Sequence, residues 1–568
     1  MGMNQAAAAC LESAASAPLV IGVTSHRNIP SSEEEAVRAR VRAFLAQLRA
    51  DFPDVPLWVL SALAEGGDQW VAEEALAVGA TLVAALPMPA DLYERDFDDP
   101  AARARFHALC QCAEVVQLPL RNGHSRRAVG PPGVARNHQY AQAGVYIASH
   151  CHVLLAVWDG KESDRLGGTA QVVRYHLAGE MPGFAAHGRQ RLRVLGGDER
   201  LLLHVACSRE GADGAPADGL QPGQAWWYTG DTRTPASGEL PPAARYAFGR
   251  MAAFNRDAAR HAEAIARAAT ALPAPRLFHA ADWLANHYRR RVLLAMRLTY
   301  GLAALMGIAF VCYSDLPAQD GMIHVFLLLF ALGVAVGAVA RRRDWHRRYL
   351  DYRVLAEGLR VQWYWRRARL AVEQAEFAQD TFLQQQDPEL AWIRDVMRAA
   401  SLDAHRAATP EAPGGLAEVI DEWVGEPGGS GQLHYYECRA AERERLERAT
   451  SRLGTLSLWT GIAISVFLAL RFRTLDADMR SMLVALMGVV SILAAVREAY
   501  AFRKADKELV RQYRAMARLF AAARRALDFS SDAATQRGIL RTLGEAALAE
   551  HAGWSLVHRE RPLESGRP

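Results

Sequence analysis

Lysine is nearly absent. Lys161, Lys504 and Lys507 are the only three among 66 basic residues in the 568-residue chain. The arginine bias carries no functional reading by itself, and a net charge of +4 gives no global nucleic-acid signal. Cysteine is sparse too: Cys10, Cys110, Cys112, Cys151, Cys207, Cys312 and Cys438 are scattered and odd in number. That argues against a disulfide framework and suits a reducing cytoplasm. Cys110-x-Cys112 lacks a second pair, and His150-x-His152, expected on one strand face, lacks a third ligand, so no metal is expected. No basic cluster opens "MGMNQAAAACLESAASA", so residues 1–17 are expected to form a short flexible tail, not a signal peptide. The N-terminal domain has no basic stripe interleaved with aromatics, and no nucleic-acid partner is expected.

Apolar residues are plentiful, at 51% of the chain. The length suggests three or four domains at ~150 residues each. Four stretches are almost uncharged: Leu298 to Tyr313, Met322 to Ala340, Leu453 to Leu470 and Met482 to Val496. With flanking residues each approaches the ~20 positions that cross a hydrocarbon core. The short loops "SDLPAQDG" and "RFRTLDADMR" join them into two hairpins. Arg289, Arg290 and Arg291 precede the first hairpin and Arg341, Arg342 and Arg343 follow it, whereas its loop carries Asp315 and Asp320. The second hairpin has Arg443, Arg445, Arg448 and Arg452 before it and Arg497, Arg503 and Lys504 after it, although Arg471, Arg473 and Arg480 sit in its loop. The positive-inside rule then predicts a multi-pass protein with both termini cytoplasmic.

The hairpins read as one unit used twice. Thr299 and Thr460 open similar apolar stretches, and Tyr352-Arg353 and Tyr513-Arg514 follow them at the same offset. A long charged helix bearing aromatics follows each hairpin. These helices suit either a cytoplasmic collar or interfacial anchoring by Trp, Tyr and Arg. The expected division is 18–250 for a nucleotide-binding domain, 251–376 and 433–568 for two-helix membrane units with cytoplasmic helices, and 377–432 for a helical linker.

From residue 18 to about 206, apolar runs alternate with helical patterns, predicting an α/β fold with a Rossmann-like parallel sheet. Ligands of such sheets sit beyond the carboxyl ends of the strands. Four loops fall there. "GVTSHRNIP" offers Gly22, Thr24, Ser25 and Arg27 to a phosphate or ribose; "AEGGD" offers Glu65, Gly66, Gly67 and Asp68. "MPADLYERDF" contributes Tyr93, either to stack on a base or to pack in the core. "WDGKESDRLGGTAQVV" brings Trp158, Asp159, Gly160, Gly167, Gly168 and Thr169. Arg136 and Tyr140 open a nearby helix, where they bind ligand or cap and pack. Trp226, Trp227 and Tyr228 either cover the site or contact neighbouring helices.

The segments "VIGVTSHRN", "LSALAEGGDQWVAEEALAVGATLVAALP" and "CHVLLAVWDGKESDRLGGTAQVVRY" resemble the SLOG superfamily, over residues 18 to 206. That group includes the DNA-processing protein A fold, the LOG nucleotide hydrolases and nucleotide-sensing domains of antiviral effectors. The membrane portion resembles, by architecture, tandem SLATT units, two-helix membrane effectors with a cytoplasmic helical extension. The resemblance implies a nucleotide second messenger, NAD- or ADP-ribose-derived or cyclic, as ligand, with no further cofactor. It also implies a homo-oligomer in the lipid of a bacterial inner membrane and a separate messenger-synthesising enzyme.

One departure matters. LOG-type hydrolases follow a Pro-Gly-Gly-x-Gly-Thr motif with a glutamate that does acid/base chemistry. Here "LGGTAQVVRY" offers Gln171 and Arg174 but no carboxylate in that turn. The expectation is therefore a sensor controlling a pore. The alternative is a membrane-anchored nucleotide N-glycosidase using Asp68, Asp159 or Glu65.

Overall fold

The computed structural model describes residues 16–184, 200–211, 213–217, 219–230, 232–269, 274–370, 378, 382, 388–406, 415–471, 474–504 and 506–559. Nearly all of the expected tail, part of the expected linker and Arg473 lie outside the described residues.

Six apolar runs form parallel strands: β1 (Leu19–Ser25), β2 (Leu57–Ser61), β3 (Thr81–Leu86), β4 (Glu114–Gln117), β5 (Val153–Trp158) and β6 (Leu201–Ala206). Every residue of β5 and β6 is buried, as expected where helices cover both faces of a parallel sheet. Two antiparallel strands, β7 (Ala225–Thr229) and β8 (Thr232–Pro235), extend the sheet to the order β4-β3-β2-β1-β5-β6-β7-β8. Trp226, Trp227 and Tyr228 thus belong to the sheet. Trp227 meets Phe44 edge-on at 5.7 Å and donates its indole N–H to Glu239 O, and the Arg233 guanidinium lies 4.1 Å over Trp226.

Helices α1 (Glu34–Asp51), α2 (Gly67–Ala77), α3 (Pro100–Cys112), α4 (Val134–His150) and α5 (Thr169–Ala178) fill the crossovers. α4 starts five residues before the expected Gln139, because its polar first turn hides the apolar period. It also runs to His150, which corrects the expected His150-x-His152 strand: the His150 ring turns back to Tyr146 O, while His152 leads into β5. Beyond the sheet come α6 (Pro242–Arg260), α7 (Arg276–Asp315), α8 (Met322–Arg342), α9 (Trp345–Arg367), α10 (Ala391–Arg406), α11 (Gly431–Arg471), α12 (Ala477–Arg503), α13 (Asp506–Phe529) and α14 (Ala533–Arg559).

The chain divides into two compact units. One comprises Met1–Ala281, Leu355–Trp363 and Gln374–Ala412, so it takes in α10 from far along the sequence. The reason is apolar: Trp392, Ile393, Val396, Met397, Ala399 and Leu402 are fully buried. Ala399 and Leu402 join Val20, Leu60, Leu154 and Leu202 in one core. Trp392 packs on Phe254 of α6 at 6.3 Å. The buried His152 ring fastens the helix, accepting Val20 N–H at Nδ1 and donating from Nε2 to Asp395 O, 2.9 Å each.

The second unit, Asp282–Val354, Tyr364–Glu373 and Pro413–Pro568, is helical. Four helices of the chain, beginning at Arg276, Met322, Gly431 and Ala477, are long and apolar enough to cross a membrane. Their side chains face outward: Leu328 is 60%, Leu458 62% and Leu470 80% exposed. Water would not tolerate so large an apolar surface, whereas hydrocarbon does. The two hairpins meet along α7 and α12. A Cβ on Gly307 would lie 2.8 Å from Ile492, and one on Gly488 would lie 3.1 Å from Val311, so each glycine receives the other helix's branched residue. Tyr300 and Tyr500 continue that antiparallel seam with ring centroids 5.6 Å apart.

Candidate functional site

Strand order turns at β1: its crossover helices lead through β2, β3 and β4 on one side, and β5 and β6 lie on the other. Such a switch point opens a crevice outside the carboxyl ends of β1 and β5. Ser25 ends β1 and Trp158 ends β5, so the first and fourth loops converge there.

Ser25 ties the loops together. Its hydroxyl donates to Asp68 Oδ1 at 2.7 Å, and its carbonyl accepts from Thr169 Oγ1 at 2.7 Å. Asp68 Oδ2 also accepts Ala64 N–H at 3.3 Å. Burial pushes the Asp68 carboxyl up to about 6, against the pull of the Ser25 hydroxyl, the Ala64 amide and the Arg27 charge. The glycines of this turn make room for the neighbouring chain. Gly66 has φ +90°, and a Cβ there would lie 2.2 Å from Arg27 O. A Cβ on Gly67 would meet Ser25 Cβ at 2.9 Å. The two loops are thus in backbone contact.

Asp159, 1% exposed, anchors the other wall. Its Oδ1 lies 3.0 Å from His26 Nε2 and accepts Lys161 N–H at 3.1 Å, and its Oδ2 lies 2.7 Å from Arg209 Nε. Burial opposes ionisation, but these partners outweigh it and hold the carboxyl below its ordinary range. His26 and Arg209 escaped the sequence reading. His26 stood beside Arg27 in the first loop, while Arg209 could be found only by counting β6 as a further strand end. Gly160, at φ +80°, faces Leu220, and the Trp158 indole donates to Lys161 O at 3.1 Å.

Other expected residues lie elsewhere. Gly22 sits mid-strand, where a Cβ would meet Cys151 and Ile147 at 2.8 Å, so it serves the packing of α4 on β1. Thr24, 8% exposed, lies within β1. Tyr93 is 1% exposed, its ring packed against Phe97, Phe106 and Tyr140. Glu65 accepts the N–H groups of Asp98 and Asp99. Arg136, 2% exposed, is committed to Asp96, Tyr140 Oη and the carbonyls of Leu92, Val129 and Gly130. It pins the 90–97 segment.

Arg27 remains. It is half-buried, with no ion pair among the described residues, and its guanidinium lies over the Tyr140 ring at 5.4 Å. Gly167, φ +77°, presses on the same tyrosine: a Cβ there would lie 2.7 Å from Tyr140 Cβ. Gly168 then caps α5, whose first N–H groups, at Thr169 and Ala170, find no acceptor among the described residues. A cation, a helix N-terminus with its partial positive charge and free amide donors together suit an anion such as a phosphate. A scan against protein-family models and a search among curated proteins find no match to this chain.

Proposed function

We propose that this chain is a nucleotide-gated membrane effector of bacterial antiphage defence. Its α/β unit takes a nucleotide second messenger, NAD- or ADP-ribose-derived or cyclic, made by a separate enzyme. The oligomeric membrane helices, in the inner membrane with both termini cytoplasmic, then form a pore or disrupt the bilayer. The observation that carries this reading is Arg27, a cation with no ion pair among the described residues, at a switch-point crevice beside the α5 N-terminus. Four helices fit to cross a membrane on the same chain give such binding an outlet. To move the assembly from 1% to 99% open, the messenger must favour the open form by about 5.5 kcal/mol.

The test is dye release from liposomes carrying the full chain, with NAD, ADP-ribose and cyclic nucleotides added in turn. Release with one of them, lost in Arg27→Gln and Gly67→Trp, supports the reading; no release with any of them ends it. One observation favours the enzymatic alternative: Asp68, buried with a carboxyl near 6 beside the Ser25 hydroxyl, suits a proton donor. Steady turnover of a nucleotide, lost in Asp68→Asn, would establish a nucleotide N-glycosidase instead.

A further inference from the structure

The ends of the membrane hairpins remote from their turns are not alike. On the first hairpin, Arg297 precedes Asp315 at the turn by 18 residues, and Arg342 follows Met322 by 20. At 1.5 Å per residue both guanidiniums stand about 27–30 Å from the turn, one hydrocarbon thickness away. Arg343 lies just beyond, and Arg290 stands two helical turns farther out, about 37 Å from the turn. All four are exposed and have no ion pair among the described residues; Asp344, next in sequence, pairs with none of them. Trp345 joins the group, with Arg291 5.7 Å from its ring, and such an indole belongs at the level of lipid headgroups.

The second hairpin carries fewer such groups: at that level Arg452 alone is exposed with neither an ion pair nor a side-chain hydrogen bond among the described residues, and farther from its turn the charge is largely paired. Arg439 pairs with Glu442 at 2.6 Å, Arg514 with Glu444 at 2.7 Å, and Arg448 with Glu444 as well. Arg497 donates to the Thr450 hydroxyl at 3.2 Å. A guanidinium beside hydrocarbon with no carboxylate takes a phosphate oxygen, which it binds bidentately.

We propose that Arg290, Arg297, Arg342 and Arg343 form a binding surface for the phosphodiester of an anionic phospholipid, phosphatidylglycerol or its dimeric form. The surface belongs to the first hairpin and makes the chain selective for acidic bilayers. The proposal rests on the membrane reading of these helices but not on nucleotide sensing.

The test uses the full chain in vesicles of equal phosphatidylcholine and phosphatidylglycerol, extracted in mild detergent, with retained lipid counted by native mass spectrometry. The expected result is about tenfold enrichment of phosphatidylglycerol. Arg342→Gln with Arg343→Gln should bring it close to parity. Arg439→Gln with Arg448→Gln, arginines of the second hairpin already paired with Glu442 and Glu444, should leave it unchanged. Equal retention of both lipids, equal loss in the two variant pairs, or displacement of the lipid by inorganic phosphate overturns the proposal. A chain that alkaline carbonate strips from the vesicles refutes the membrane reading itself, and the two failures are thereby told apart.

Discussion

Replacing Gly66 by alanine tests whether the first two loops are fused through their backbones. Gly66 holds φ +90° and ψ −131°, a region open almost only to glycine. Forcing a side chain into it costs on the order of 1–3 kcal/mol. The new Cβ would also lie 2.2 Å from Arg27 O, so the two must part by about 1 Å to reach ordinary contact. Gly66 O meanwhile accepts the N–H groups of Gln69 and Trp70 that start α2, so the turn cannot simply swing aside. Together these make about 3–5 kcal/mol, which for a unit of this size lowers the melting temperature by on the order of 10 °C. Gly219→Ala is the control: φ is +78° there too, but nothing lies within 4 Å, so only the backbone strain of about 1 kcal/mol remains. Thermal unfolding of the full chain in detergent, followed by tryptophan fluorescence, gives both numbers. If Gly66→Ala melts no lower than Gly219→Ala, the loops are not joined in this way and Arg27 is not positioned by the glycine turn.

Asp68 predicts a pH dependence. Its carboxyl is pushed up to about 6 in the folded chain from near 4 when unfolded, so its contribution to stability is full below about pH 4 and up to ~3 kcal/mol is lost as pH rises through 6. In denaturant titrations Asp68→Asn should flatten that slope, and an unchanged slope would assign it to another group. His152 works in the opposite direction: burial holds its ring below the ordinary histidine value, so stability present above pH 6.5 drains away as the solution is acidified. His152→Gln should remove that loss. Arg136→Ala strands Asp96 and three carbonyls, at a cost of about 3–4 kcal/mol, and should open the 90–97 segment to proteolysis before the rest; Arg136→Lys should not rescue it. Gly307→Leu should drive α7 from α12 and lower the melting temperature of the full chain in detergent, whereas Gly301→Leu, with open space at its Cβ, should not.

The alternation of runs such as "PLVIGV" and "CHVLLAVWDG" with helical segments gave away the parallel sheet, because strands buried on both faces are apolar throughout. The four membrane helices were equally plain, being long and uncharged. The site was less legible. A sequence displays a glycine but not what fills the space it leaves, and at Gly66, Gly67 and Gly167 that space holds the protein's own chain. Arg136 and Tyr93 have the chemistry of ligand contacts, yet their partners come from segments up to 47 residues away, and burial commits both to structure. β7 escaped notice because "AWWYT" reads as an aromatic cluster, and only pairing with β6 makes it a strand. α10 gave no sign of its destination, since amphipathic spacing shows that a face is apolar but not which core receives it.

That destination has a consequence for synthesis. Ala399 and Leu402 complete a core whose last fully buried strand, β6, ends at Ala206, and between them the ribosome makes α7, α8 and α9. At about 5–20 residues per second, the α/β unit waits roughly 10–40 s after β6 for its last helix. The first hairpin therefore emerges, and must find its lipid, while the domain upstream of it is still unfinished. A hairpin that inserts as it is made thus meets the bilayer before the crevice that we assign to the messenger has its full support.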